Sequence, residues 1–87
     1  MLVQKMRVGI PSGIHFRPAE KLAETAMEYE AKITLRNQNG DFNMKSFLSV
    51  LAANVRTGEE VEIICEGSDE KEALEQIIRI LQNRQNT

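Results

Sequence analysis

Alternating polar and apolar residues predict three β-strands in this chain, and a hairpin signal predicts a fourth. Runs with a period of two occupy residues 2–8, 32–37 and 60–66, with apolar side chains on one face and mostly polar side chains on the other. This alternation is typical of a strand that is buried on one side. Asn39-Gly40 follows the second run. Because this dipeptide favours a tight hairpin, it predicts a fourth strand over residues 41–44.

A period of three to four residues predicts a first helix from Phe16 to Glu28. Pro18 fits the first turn of this helix, where the missing N–H of proline costs nothing. The apolar positions recur at i, i+3, i+4, i+7 and i+8 and define one buried face. They are Ala19, Leu22, Ala23, Ala26 and Met27.

Two further helices are predicted from residues that can cap their N-termini. Ser46 can cap a short helix from Phe47 to about Ala53, because its hydroxyl oxygen can accept a hydrogen bond from a first-turn N–H. Asp69 and Glu72 have the spacing of a capping box at the start of a last helix. The apolar stripe predicted for that helix comprises Ala73, Leu74, Ile77, Ile78 and Leu81.

The predicted order of elements is βαββαβα, which places the chain in the α+β class. Three amphipathic helices need cover for their apolar stripes, and four strands each have one apolar face. The simplest packing is an open-faced sandwich, in which all three helices cover one face of a four-stranded antiparallel sheet. Residues 1–87 are expected to form a single domain, because the chain is too short for a second core.

Composition excludes several classes of function. One cysteine and one histidine cannot build an internal disulfide or a closed zinc site with nitrogen and sulfur ligands, so no metal and no cofactor is expected. A net charge of −2 with four aromatic residues and no Trp argues against nucleic-acid binding. Neither a membrane-spanning run nor a signal peptide is visible, so the cytoplasm is the expected compartment. Cys65 is interpreted as a core residue.

The candidate chemistry lies at the start of the first helix. His15 is a nucleophile, and Arg17 places a permanent forked cation two residues further on. The helix N-terminus adds unpaired N–H groups with positive partial charge, and Ser12 can add a hydroxyl or backbone donor. Residues 1–45 carry seven basic and five acidic side chains, whereas residues 46–87 carry four and eight. These features predict an anion site built around a nucleophile.

The string Gly13-Ile14-His15-Phe16-Arg17-Pro18-Ala19 resembles the active-site signature of the HPr family, the histidine-containing phosphocarrier proteins of the bacterial phosphoenolpyruvate:sugar phosphotransferase system. The usual form is G-[LI]-H-A-R-P-A. Residues 44–50 resemble the regulatory-serine segment of the family. Residues 66–73 are similar to its turn into the last helix. The resemblance covers nearly the whole chain and has the same element order.

The resemblance implies a carrier that is phosphorylated by other enzymes and is not itself an enzyme. His15 would accept a phosphoryl group on Nδ1 from phospho-enzyme I and pass it to an enzyme IIA domain. Arg17 would pair with the phosphate, with support from Ser12 and Phe16. The protein would be a monomer that inserts into no membrane. The sugars transported stay open, because specificity rests with the downstream permeases.

The second segment of the resemblance implies regulation. Ser46 would be phosphorylated by an HPr kinase/phosphorylase, and a catabolite control transcription factor would be a further partner. Partners would dock on a patch beside the active histidine, here formed by Phe47, Leu48 and Leu51. A helix this short cannot bury all three of these side chains.

Three positions depart from the family pattern. Phe16 replaces a small residue next to the nucleophile, and Glu20 replaces another at a position where it can pair with Arg17. Asn54 stands where glycine is frequent, and asparagine tolerates the left-handed backbone conformation well. These departures concern the choice of partner more than the fold.

Two other functions stay open at this stage. One is a regulatory HPr-like paralogue that acts by partner binding with little sugar transport, although such paralogues lack the active-site histidine. The other is a small ligand-binding module with a similar architecture. A self-contained enzyme is disfavoured, because the sequence has no second base, no nucleotide-binding glycine loop and no metal cluster.

Overall fold

The computed structural model describes residues 1–83 and contains the seven predicted elements. Residues 84–87 of the expected domain lie outside this description. The βαββαβα order and the open-faced sandwich are confirmed, and the element ends differ from prediction by at most two residues. The elements are β1 (Leu2–Arg7), α1 (Phe16–Ala26), β2 (Lys32–Asn37), β3 (Gly40–Asn43), α2 (Phe47–Ala52), β4 (Glu60–Glu66) and α3 (Glu70–Leu81).

The four strands form one antiparallel sheet in the order β1-β4-β2-β3. β4 therefore lies inside the sheet, hydrogen-bonded to the first strand of the chain on one side and to β2 on the other. The predicted hairpin between β2 and β3 is confirmed, but Asn39-Gly40 is not its turn. Asn37 pairs with Gly40, so the two turn residues are Gln38 and Asn39, and Gly40 begins β3. Alternation places most apolar side chains of the strands on the helix-covered face. Val3 and its register partner Ile64 are exceptions and lie on the other face.

The core lies between the sheet and the three helices. α1 buries Ala19, Leu22, Ala23 and Ala26. The prediction that Met27 belongs to this buried face is wrong, because the helix ends at Ala26 and Met27 is 68% exposed. α3 buries Ile80, which the predicted stripe omitted, whereas Leu74 and Ile78 are only half-buried. Cys65 is fully buried, and burial raises the pKa of its thiol to about 11, as expected for an inert core residue. No helix within residues 1–83 is long and apolar enough to cross a membrane.

The other face of the sheet carries charges that alternate from strand to strand. Lys5 pairs in register with Glu62, Glu62 with Arg36, and Arg36 with Asp41. The Arg36 Nε atom lies 2.7 Å from an Asp41 carboxylate oxygen, and its Nη1 atom lies 3.9 Å from Glu62. Opposite charges directly across strands stabilise the register. Each charge in this row therefore faces an opposite one.

Asp69 lies at the N-cap of α3, but the predicted capping box is wrong. Its carboxylate makes no cap hydrogen bond and instead accepts the backbone N–H groups of Glu30 and Ala31, each at 2.9 Å. The cause is a close approach of two backbones: a Cβ at Gly67 would lie 2.6 Å from the Ala31 Cα. Asp69 thus ties the start of α3 to the segment that leads into β2.

Replacing Asp69 by asparagine is expected to lower stability most at neutral pH. The bonds from Glu30 and Ala31 hold the pKa of this carboxyl below its usual value. The stabilisation is present above the unfolded-state pKa and is lost as pH falls through the lower folded-state pKa. The loss of thermal stability in Asp69→Asn, measured by circular dichroism, should therefore shrink from pH 7 towards pH 3.

The exposed Glu72, in the first turn of the same helix, provides the control. Glu72→Gln should change the free energy of unfolding by no more than about 0.5 kcal/mol at pH 7. A difference between Asp69→Asn and the natural chain that stays constant across this pH range would contradict the assignment.

Candidate functional site

His15 is the N-cap residue of α1. Its backbone is extended, its carbonyl accepts the Ala19 N–H at 2.9 Å, and its side chain is exposed and makes no cap hydrogen bond. Within residues 1–83 the imidazole nitrogens therefore have no hydrogen-bond partner and are available to react. The first N–H groups of a helix have no partner within it, so an anion on His15 would lie at the positive end of α1.

The loop before His15 is shaped by two consecutive left-handed residues. Ser12 has φ of +68° and Gly13 has φ of +76°. The Gly13 N–H donates to the Ile10 carbonyl at 2.9 Å, which closes a tight turn. Ile14 then points into the core and is only 5% exposed, which anchors the loop directly beside the exposed His15.

Gly13 packs directly on the loop that follows α2. A Cβ at Gly13 would lie 2.5 Å from the Val55 carbonyl oxygen and 2.7 Å from the Arg56 Cα, so no side chain fits. The Ile14 N–H donates to the same Val55 carbonyl at 2.9 Å. Asn54 begins this second loop with φ of +54°, so its predicted left-handed conformation is confirmed.

Arg56 is the cation that sequence reasoning missed. The close approach at Gly13 brings its backbone against the His15 loop, and its side chain is exposed. Its backbone N–H donates to Glu59, and the described residues offer no partner to its guanidinium. The glycine two residues before the histidine was the available signal, because glycine marks places where another backbone approaches closely.

Arg17 lies in the first turn of α1 and is exposed. Within residues 1–83 its guanidinium makes no hydrogen bond or ion pair, so the pairing with Glu20 that the sequence allowed is not formed. Exposed pairs of this kind gain little, because holding two long side chains in one geometry costs entropy. Arg17 and Glu20 instead line a surface groove of about 360 Å³ between α1 and the end of α3. The guanidinium is available to an anion.

Ser46 is the N-cap of α2, as predicted. Its hydroxyl oxygen accepts the Ser49 N–H at 3.2 Å. The Ser49 hydroxyl oxygen in turn accepts the Asn43 N–H at 2.9 Å, and the Asn43 side chain accepts the Lys45 N–H at 2.9 Å. This network holds the start of α2 against the end of β3.

Phe16 and Phe47 join the two predicted sites. Their ring centroids lie 5.0 Å apart with an interplanar angle of 82°, an edge-to-face contact. Phe16 directly follows His15 and Phe47 directly follows Ser46, so the contact links the starts of α1 and α2. Sequence reasoning treated the two rings separately, because no local pattern connects residues so far apart.

The expected docking patch is only partly exposed. Leu48 is 73% exposed, whereas Phe47 and Leu51 are half-buried and pack against the core. Together with the exposed Phe16 ring, these side chains leave apolar surface beside the N-terminus of α1.

Residues 2–83 match the family model described as the PTS HPr component phosphorylation site. The chain belongs to the HPr family. Among its relatives is the phosphocarrier protein HPr of Treponema pallidum, which is 37% identical over 84 residues that cover 97% of this chain and 96% of the relative. The HPr of Bacillus anthracis has a similar structure, with a TM-score of 0.89 and 28% identity over 93% of this chain and 96% of that chain.

A second kind of relative is the HPr-like protein Crh of Bacillus subtilis, which is 33% identical over 94% of this chain and 96% of its own. A crystal structure of Crh, the catabolite repression protein, has a TM-score of 0.77 and 32% identity, and covers 95% of each chain. That structure is described as a dimer with a swapped domain. The HPr fold of this chain is therefore common to carriers and to a catabolite repression protein.

Gly13→Ala is expected to destabilise this HPr-family chain more than Gly58→Ala. Both glycines have a positive φ, which costs an L-residue about 1–2 kcal/mol. A Cβ added at Gly13 would have backbone atoms within 3 Å, whereas one added at Gly58 would have no atom within 4 Å. Urea unfolding monitored by circular dichroism measures the free energy of unfolding of both variants. An equal loss of stability in the two variants would refute the close contact at Gly13.

Proposed function

We propose that this HPr-family chain is a phosphocarrier that relays phosphate through His15. The observation that carries the proposal is the exposed His15 imidazole at the N-terminus of α1. Arg17 lies in the first turn of the same helix, and its guanidinium has no partner in residues 1–83. Phospho-enzyme I is the donor and an enzyme IIA domain is the acceptor.

The transfer needs no metal of the protein's own. The lone pair of neutral His15 Nδ1 attacks phosphorus, a P–N bond forms, and the bond between phosphorus and the donor atom breaks. In the second transfer the acceptor attacks the same phosphorus and the P–N bond breaks, which restores the imidazole lone pair. No net oxidation or reduction occurs in either step.

The surroundings of His15 suit a group that must also leave. Arg17, the backbone N–H groups at the start of α1 and the Ser12 hydroxyl neutralise part of the phosphate charge. The backbone N–H of Phe16 is one of these helix donors. A site that is exposed and built from one mobile guanidinium stabilises the phosphate lightly, so the group stays transferable.

His15→Ala is expected to abolish the gain of acid-labile phosphate when the protein is incubated with phosphoenolpyruvate and enzyme I. The natural chain should become phosphorylated and should pass the label to an enzyme IIA domain. Arg17→Ala should keep the modification site but slow both transfers. Mass spectrometry and gel assays at neutral pH detect the phosphate. Acid-labile phosphate on the His15→Ala variant would contradict the proposal.

Ser46 is proposed as a second, regulatory phosphorylation site. Its hydroxyl caps α2, and a phosphate oxygen can accept the same Ser49 N–H, so the fold should persist. The phosphate adds about −1.5 to −2 charges beside the apolar surface of Phe47 and Leu48. Such charge opposes docking of an acidic partner and favours a basic one, which fits a switch between enzyme I and a catabolite control transcription factor.

Incubation with ATP and an HPr kinase/phosphorylase is expected to place one phosphate on Ser46. Ser46→Ala should block the modification, and Ser49→Ala is the matched control because it removes the neighbouring hydroxyl. Tandem mass spectrometry locates the phosphate. Modification at Ser49, or none in the natural chain, would contradict the assignment.

A regulatory role with little sugar transport is the second candidate. The similarity to Crh and the unusual Phe16 and Glu20 next to His15 favour it. The two roles predict different results for the transfer from His15 to an enzyme IIA domain. If His15 accepts phosphate but passes it to no enzyme IIA domain, the regulatory role replaces the carrier role.

We propose that the protein acts as a monomeric, single-domain carrier in the cytoplasm and is not itself an enzyme. β1 pairs with β4 of its own chain over all six residues, and the Met1 amino group lies 3.1 Å from the Glu70 carboxylate. Both contacts hold β1 in the sheet of its own chain. Light scattering should give a mass near 9.9 kDa, whereas twice that value would indicate a dimer as described for Crh.

A further inference from the structure

We propose that Phe16, held in place by Phe47, determines which enzyme I phosphorylates His15. This inference rests on the proposed carrier function and names a specificity residue for it. Phe16 favours a donor that has an apolar recess beside its phosphoryl group. It disfavours a donor whose surface fits a small residue at this position.

The position of Phe16 makes contact with a donor unavoidable. It directly follows His15 in the first turn of α1, and its side chain is 59% exposed. A donor must bring its phosphoryl group within bonding distance of His15, so its surface must also accommodate this ring. The usual family residue at this position is small and would need no recess in the surface of the donor.

The contact with Phe47 restricts the orientation of the exposed ring. The edge-to-face geometry, with centroids 5.0 Å apart, leaves one side of Phe16 against α2 and the other in solvent. Phe47 itself is half-buried, packs against the core and starts a helix whose N-terminus is held by Asn43, Ser46 and Ser49. Phe16 therefore rests on a well-anchored support.

A pre-oriented aromatic side chain is an effective element of selection. Because the ring is already oriented, binding a complementary partner costs it little conformational entropy. Large rings also dominate the binding energy when they fill a pocket. A partner without a recess meets a fixed steric obstacle, which is discrimination by repulsion. The same ring thus raises affinity for one class of donor and lowers it for another. Phe47 acts through Phe16 as a positioning residue.

The test compares two donors. One is the enzyme I of the bacterium that encodes this chain, and the other is the enzyme I of a bacterium whose HPr has alanine after the active histidine. Initial rates of His15 phosphorylation from phosphoenolpyruvate are measured over a range of carrier concentrations, which separates KM from kcat. Phe16→Ala is expected to raise KM about tenfold with the first donor, as for truncation of an aromatic anchor, and to lower KM with the second.

Phe47→Ala tests the positioning role. It should raise KM with the first donor in the natural chain but have a much smaller effect in the Phe16→Ala background, since the ring that it orients is then absent. Met27 is the C-cap residue of α1 and is 68% exposed, so it is a similarly exposed apolar residue at the other end of the helix. Met27→Ala should leave KM unchanged with both donors.

The outcomes separate this inference from the proposed function. If the natural chain gains no phosphate from either donor, the carrier function fails and the inference fails with it. If the chain is phosphorylated but Phe16→Ala changes KM equally and in the same direction with both donors, only the specificity role is overturned. A merely destabilised Phe16→Ala variant would lose activity with both donors, so opposite changes in KM cannot arise from loss of fold.

Discussion

The contact between Gly13 and the loop of residues 55–57 is the constraint on which the site depends. Two backbones meet there without an intervening side chain, and the Val55 carbonyl accepts the Ile14 N–H. One loop leads into α1 and the other leaves α2. The orientation of His15 is therefore tied to the position of α2, and the neighbouring contact between Phe16 and Phe47 repeats this connection on the surface.

Charge is used differently on the two sides of the molecule. Across the open face of the sheet, Arg36 is paired with Asp41 and lies near Glu62. The Asp69 carboxylate accepts hydrogen bonds from the backbone N–H groups of Glu30 and Ala31. These bonds hold the segment before β2 to the start of α3. At the start of α1, by contrast, Arg17 has no partner within residues 1–83. This unpaired positive charge lies two residues from the one histidine, at the same helix terminus, where an incoming anion can use it.

The small size of the protein makes each phosphate influential. A phosphoryl group adds up to about −2 charges, which is comparable to the net charge of −2 of the whole chain. The proposed sites at His15 and Ser46 lie at the starts of two helices that touch through Phe16 and Phe47. A phosphate at either site therefore changes the charge of a surface that both proposed classes of partner would contact.

The sequence by itself determined the element order, the buried faces of the strands, the cap at Ser46 and the left-handed turn at Asn54, because each follows from a local pattern or a local backbone preference. The tertiary structure alone decided that Asp69 bonds to Glu30 and Ala31, that Arg56 lies beside the His15 loop, and that the two phenylalanines meet. These contacts join residues distant in sequence. Their partners are set by how the helices and strands pack, which no local pattern encodes.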